Sequence, residues 1–187
     1  MSRTDADRAG LTIAAGWAII VLSAGSALLP AAGHIRGPSI IGWLLLTAGA
    51  IEVFAGVNRR SARIPAIAAG LLTVAAGVIL LVGGARGLLP TITLVTGWLL
   101  LRSIVLLAAT VLVRTSSVRR WTGIAAGTDF LLGALLLLGV SIASLVYNLF
   151  GPTEGLVASF AWVFALSFVA TGTMLLEVGN CERAGAA

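Results

Sequence analysis

Glu52, Trp98, Arg102 and Asp129 are the residues of this chain whose types and places point to chemistry. The three ionisable ones fall inside apolar runs long enough to cross a bilayer. A charge at the bilayer centre costs ~2.5–3.5 kcal/mol even on insertion scales, so such groups turn inward and pair. Arg102 lies mid-way along the fourth apolar run, and Asp129 lies about two turns into the fifth. Consecutive antiparallel helices are neighbours as a rule, so Arg102 and Asp129 are predicted to pair. Glu52 is expected about one turn nearer the cytoplasm. Trp98 stands four residues before Arg102, on the same helix face, and offers its ring as a cation–π partner. Gly133, four residues after Asp129, leaves room for a long side chain. The cluster has two readings: a buried ion pair that fixes helix register, or a proton-responsive or ion-conducting site. Glu52 is also within reach of the basic loop holding Arg59 and Arg60, which would make its role local.

The elements that must position these groups follow from hydropathy. Of 187 residues, 59% are hydrophobic and 10% charged, with a mean hydropathy of +1.08. Soluble chains carry about 25% charged residues. A bilayer removes the need for a charged surface, because the outside of the fold faces hydrocarbon. Six runs are predicted to cross as helices: 11–29, 39–57, 64–82, 91–113, 123–141 and 156–176. A tail at 1–10 precedes them, and another at 178–187 follows. The first run is about 20 residues long, more than the roughly 7–15 of a signal peptide, and is read as an uncleaved helix. Pro65 fits the first turn of the third, where its missing N–H costs little.

From Gly123 to Phe150 the chain is apolar for longer than the roughly 20 residues one straight crossing needs. Either this helix tilts strongly, or it stops near Gly139 and Ser141 and leaves Ile142 to Phe150 in the interface, with Tyr147 at headgroup level. The second arrangement is favoured.

Charge sets the topology. The net charge is +5, and every basic residue is arginine. With the N-terminus in the cytoplasm, Arg3, Arg8, Arg59, Arg60, Arg63, Arg114, Arg119, Arg120 and Arg183 lie inside, and only Arg36 and Arg86 lie in outer turns. This positive-inside bias places both termini in the cytoplasm. The basic surplus is therefore topological, and no nucleic-acid partner is expected. Trp17 and Trp121 fit the inner aromatic belt, and Trp43 and Trp98 lie nearer the outer one.

The chain repeats itself. Gly42-Trp43-Leu44-Leu45-Leu46 recurs as Gly97-Trp98-Leu99-Leu100-Leu101 and, more faintly, as Ala161-Trp162-Val163-Phe164-Ala165. The odd-numbered runs share a glycine before small and aliphatic residues, at Gly25, Gly77 and Gly133. Each hairpin starts and returns inside, so the reading is an all-α polytopic membrane protein of three parallel-repeat helical hairpins. Small-residue pairs at Gly123/Gly127 and Ala66/Gly70 allow close helix approach, either within one chain or across a homo-oligomer.

Several function classes find no support. No His/Cys/Asp/Glu set has metal-ligand spacing, and neither a phosphate-binding loop nor a nucleophile elbow is present. The one histidine, His34, sits in an outer turn, as a solvated residue or a sensor of external acid. The lone Cys181 can form no intrachain disulfide. No enzyme activity, cofactor, metal or soluble ligand is expected; the expected partner is the lipid bilayer.

Six crossings in a threefold hairpin repeat resemble the HdeD family of bacterial inner-membrane proteins. The likeness spans residues ~14–177, within the usual ±2–4 residues of such boundaries. Its most specific piece is Gly127-Thr128-Asp129-Phe130-Leu131 followed by Leu137-Leu138-Gly139, similar to that family's glycine, aspartate and apolar pattern. Asp129 is the polar position carried over. The Gly151-Pro152-Thr153-Glu154 connection is longer than the family's, and the sixth run lacks an internal acid. The resemblance implies a bacterial plasma-membrane protein of unknown molecular activity that supports acid or envelope stress tolerance. Two alternatives stand beside it: a small transporter or channel using Arg102, Asp129 and Glu52, and a structural or assembly subunit of a membrane complex.

Overall fold

The computed structural model describes residues 3–28, 38–84, 90–139 and 155–185. They form six helices: α1 (Arg3–Leu28), α2 (Pro38–Asn58), α3 (Arg63–Gly84), α4 (Thr91–Leu112), α5 (Ser116–Leu137) and α6 (Gly155–Arg183). No strand occurs among the described residues. Five of the helices are long and apolar enough to cross a membrane: α1, α2, α3, α4 and α6. The fifth helix in chain order carries Arg119, Arg120 and Asp129 along its length.

Three helices run past their expected ends. α1 begins at Arg3 rather than Leu11, α5 at Ser116 rather than Gly123, and α6 continues to Arg183 rather than stopping at Leu176. Hydropathy marks where a crossing ends, whereas backbone hydrogen bonding carries the helix on through charged residues. α5 stops where the second of the two sequence readings puts it. Gly139 takes φ +70°, which a residue without Cβ adopts freely. Its N–H bonds the Leu136 carbonyl at 3.1 Å, and the Leu138 N–H bonds that of Ala134 at 2.9 Å. This is the left-handed ending common to helices. Tyr147, the stretch 142–150, His34 and the connection 151–154 lie outside the described residues.

Each helix packs on its sequence neighbours, and α1 packs on α6, so the six close into a ring. The most extensive contacts join α2 to α3, α4 to α5 and α6 to α1, between rather than within the expected hairpins. Between α2 and α3 the backbones nearly touch. A Cβ on Gly49 would come within 2.6 Å of the Val74 nitrogen, and one on Gly70 within 2.7 Å of the Val53 nitrogen. Small residues serve here as they do in membranes generally, by letting dispersion act between backbones. Gly70 thus packs within the chain, whereas Gly127 is exposed and meets nothing within 4 Å. On the far side of the ring, the Ser23 hydroxyl of α1 donates to the Ala165 carbonyl of α6 at 2.7 Å.

The outer surface is apolar, with Val21, Ile64, Leu107, Val111, Phe130 and Leu138 among its exposed side chains. The interior holds Ile19, Leu45, Val95, Leu99, Phe160, Phe164 and Phe168. Buried with them are Glu52, Trp98, Arg102 and Asp129.

Candidate functional site: a buried Glu–Arg–Asp triad

Arg102 stands at the centre of the bundle with none of its surface exposed. It projects from α4, and each terminal nitrogen of its guanidinium holds one carboxylate. Nη1 donates to Asp129 Oδ2 of α5. Nη2 donates to Glu52 Oε1 of α2 at 2.6 Å. The sequence placed Glu52 a turn away from the Arg102–Asp129 pair; the fold makes it an equal partner. This planar fork, matched to carboxylates on two sides, is what arginine offers and lysine does not.

Hydroxyls complete the shell. Ser167 and Thr171, one turn apart on α6, both face the guanidinium. Ser167 Oγ accepts from Nη1 at 3.3 Å and donates to Asp129 Oδ1 at 2.6 Å. Thr171 Oγ1 accepts from Nη2 at 2.8 Å and donates to the Ser167 carbonyl at 2.8 Å. On α3, Thr73 donates to the Ala69 carbonyl at 3.0 Å and lies 3.5 Å from Glu52 Oε2. Both Asp129 oxygens therefore receive strong donors, and so does Glu52 Oε1. Among the described residues Glu52 Oε2 meets only the long contact to Thr73, whose single proton is already engaged closer by.

Trp98 lies over Arg102, with the guanidinium carbon 5.8 Å from the ring centroid. Its indole N–H donates to Thr73 Oγ1 at 3.2 Å. The ring also meets Phe164 at 5.8 Å between centroids. Trp98 is 4% exposed, so it belongs to the bundle interior and not to the outer aromatic belt expected of it. Trp43, by contrast, is 58% exposed. The two copies of the Gly-Trp-Leu-Leu-Leu motif thus point their tryptophans in opposite senses, one over Arg102 and one outward. Space beside Gly133 is taken by Leu99 and Leu100, not by the arginine side chain: a Cβ there would come within 3.0 Å of Leu100 Cδ2.

One polar atom of the site has no partner among the described residues: Arg102 Nε is buried and unbonded. Arg102 also lines a recess of about 10 Å³, with Glu52 and Thr171 at one end and Arg59 and Ala66 at the other. Arg59 sits in the α2–α3 connection and is 3% exposed. Its Nε donates to the Ser61 carbonyl at 2.6 Å. Burial lowers its guanidinium to about 10, against the opposing pull of Glu182. Glu182, near the end of α6, accepts the backbone N–H of Arg60 at 2.7 Å and of Ser61 at 3.3 Å. Ala62, which closes this connection, takes φ +49°.

Sequence reasoning singled out the four residues that meet here but missed Ser167, Thr171 and Thr73. Hydroxyls four apart in an apolar helix are a weak signal, since such groups commonly bond their own helix backbone, as Thr171 also does. The burial of Arg59 was missed because a basic loop reads as solvated.

Among the described residues no group of His, Cys, Asp and Glu is placed to hold a metal ion. No family model, curated protein or solved structure matches the chain.

Proposed function

We propose that the chain is a six-crossing plasma-membrane protein, both termini cytoplasmic, whose buried triad binds and releases a proton. On this reading it is a non-enzymatic, HdeD-like protein that supports acid or envelope stress tolerance, with α5 as the remaining crossing. Parallel hairpin repeats and the arginine bias support that topology.

One observation carries the proton reading: two carboxylates share one guanidinium at a site where Glu52 is 5% exposed and Asp129 not exposed at all. With all three groups ionised the triad is left with one negative charge in a low-dielectric interior. Isolated charges there are neutralised rather than tolerated. Arg59 does not supply the missing cation, because Glu182 is its own counter-charge. A single proton restores neutrality, so occupancy of that proton couples the bundle to pH.

The recess beside the triad is about 10 Å³, near the minimum for one water. That size favours proton exchange over passage of a solute and sets the transporter reading behind. A purely structural role is favoured by a different feature, the dense hydrogen bonding of Arg102 to four side chains. Acid-challenge survival separates these readings. A strain lacking the protein is complemented with wild type or with Asp129→Asn at matched membrane levels. Rescue by wild type alone supports the proton reading. Equal rescue by both confines the triad to packing, and rescue by neither overturns the stress role.

A further inference from the structure

We infer that Glu52 is the acid that carries the exchangeable proton, and that the proton reaches it from the Arg59 end through the recess beneath Arg102. This deepens the proton reading above and rests on it. Two observations, independent of each other, point the same way.

The first is the hydrogen-bond inventory. An ionised carboxylate accepts only, and a protonated one must place an O–H. Asp129 Oδ1 receives the Ser167 hydroxyl at 2.6 Å and its Oδ2 receives Arg102, so each oxygen already holds a close donor. Glu52 Oε1 is held the same way by Arg102 at 2.6 Å. Glu52 Oε2 has only Thr73 Oγ1 at 3.5 Å. Thr73 spends its proton on the Ala69 carbonyl and accepts from Trp98, which leaves one oxygen lone pair turned to a neighbouring donor. A proton on Oε2 gains an acceptor there, whereas a proton on Asp129 weakens close bonds that its ionised oxygens receive.

The second is access. Glu52 lines the recess and Asp129 does not. Arg102, whose buried Nε–H has no partner among the described residues, also lines that recess. A water in it can accept from Nε–H and pass a proton to or from Glu52, with Thr171 Oγ1 as a further polar wall. Arg59 lines the other end. The bond from its Nε to the Ser61 carbonyl and the cradle that the Arg60 and Ser61 N–H groups form for Glu182 hold that side in place.

The charged groups around this path are Glu52 from α2, Arg102 from α4, Asp129 from α5, Arg59 from the α2–α3 connection and Glu182 from α6. α3 presents Thr73, and its Arg63 is exposed. The described ionisable side chains of α1, Asp7 and Arg8, are exposed near its start.

The test is infrared difference spectroscopy on the full-length protein in liposomes, stepped in pH, reading the C=O stretch of a protonated buried carboxyl. Its exchange is timed after transfer to heavy water. The stretch is expected to shift when glutamate, and not aspartate, is isotopically labelled, and to vanish in Glu52→Gln. Exchange is expected to slow by about tenfold or more in Ala66→Leu, which fills the recess, and to quicken in Arg59→Ala, which opens it; tenfold is ~1.4 kcal/mol of barrier. A stretch that follows the aspartate label overturns Glu52 as carrier. Exchange unchanged in Arg59→Ala overturns the route, whether or not Ala66→Leu folds. Absence of any such stretch, with the triad variants indistinguishable from wild type, instead removes the proton reading on which the inference stands.

Discussion

Replacing Arg102 by Met is expected to destabilise the bundle far more than neutralising either acid. Among the described residues the guanidinium is the one cation paired with two buried carboxylates, and it donates to Ser167 and Thr171 as well. At a charge separation of ~4 Å and an effective dielectric of ~20, each ion pair contributes about 4 kcal/mol of attraction. That attraction offsets the desolvation of the ions; removal of one partner from a buried pair typically costs 3–5 kcal/mol. In Arg102→Met two carboxylates lose their partner together, so a loss of about 5 kcal/mol or more is expected at neutral pH. Asp129→Asn and Glu52→Gln each leave a neutral one-to-one pair and strand no ion. Their expected cost is at most about 1.5–3 kcal/mol, the value of a hydrogen bond to a charged group. The triple variant Glu52→Gln, Arg102→Met, Asp129→Asn should be more stable than Arg102→Met alone. Thermal or denaturant unfolding in a fixed detergent, followed by helix signal and by size, ranks the four proteins. A triple variant no better than Arg102→Met, or an Asp129→Asn loss as large as that of Arg102→Met, would refute the reasoning that one arginine balances two acids.

Other consequences follow from particular contacts. Trp98→Phe keeps a ring over Arg102 but removes the indole donor to Thr73, so unfolding is expected to show a loss of about 1 kcal/mol. Gly49→Val brings a side chain into the Val74 backbone; a cost of at least 1–3 kcal/mol is expected, the range for overpacking. The same change at Gly127, which faces open space, should cost less than Gly49→Val in the same melt. Glu182→Gln loosens the acceptor that gathers the Arg60 and Ser61 N–H groups. Limited trypsin digestion should then cut faster after Arg59 or Arg60, while far-ultraviolet circular dichroism stays unchanged.

Much of the fold was legible because hydropathy is a local property. The helices of an apolar chain must bond their own backbones wherever lipid replaces water, so runs of apolar residues name their own secondary structure. Helix ends were less legible. Arg3 to Gly10 and Glu177 to Arg183 are polar in sequence yet helical, since leaving the hydrocarbon does not oblige a helix to stop. The site was legible in its members and not in its geometry. Three ionisable residues in apolar runs had to find one another, but Glu52 and Arg102 lie 50 positions apart. Nothing in the chain between them specifies that α2 turns its acid onto the second nitrogen of the fork.

What the sequence alone determined is the class of molecule, the existence of its helices and the identity of the charges that cannot face lipid. What only the tertiary structure decided is how those helices are rotated and closed. Packing of α1 on α6 completes the ring and, with the glycine seam of α2 on α3, fixes which faces turn inward. Trp98 is buried while the matching Trp43 faces out, although both stand in the same Gly-Trp-Leu-Leu-Leu motif. The physical reason is that hydropathy fixes only whether a residue leaves water, whereas which neighbour it meets depends on contacts summed over the whole bundle.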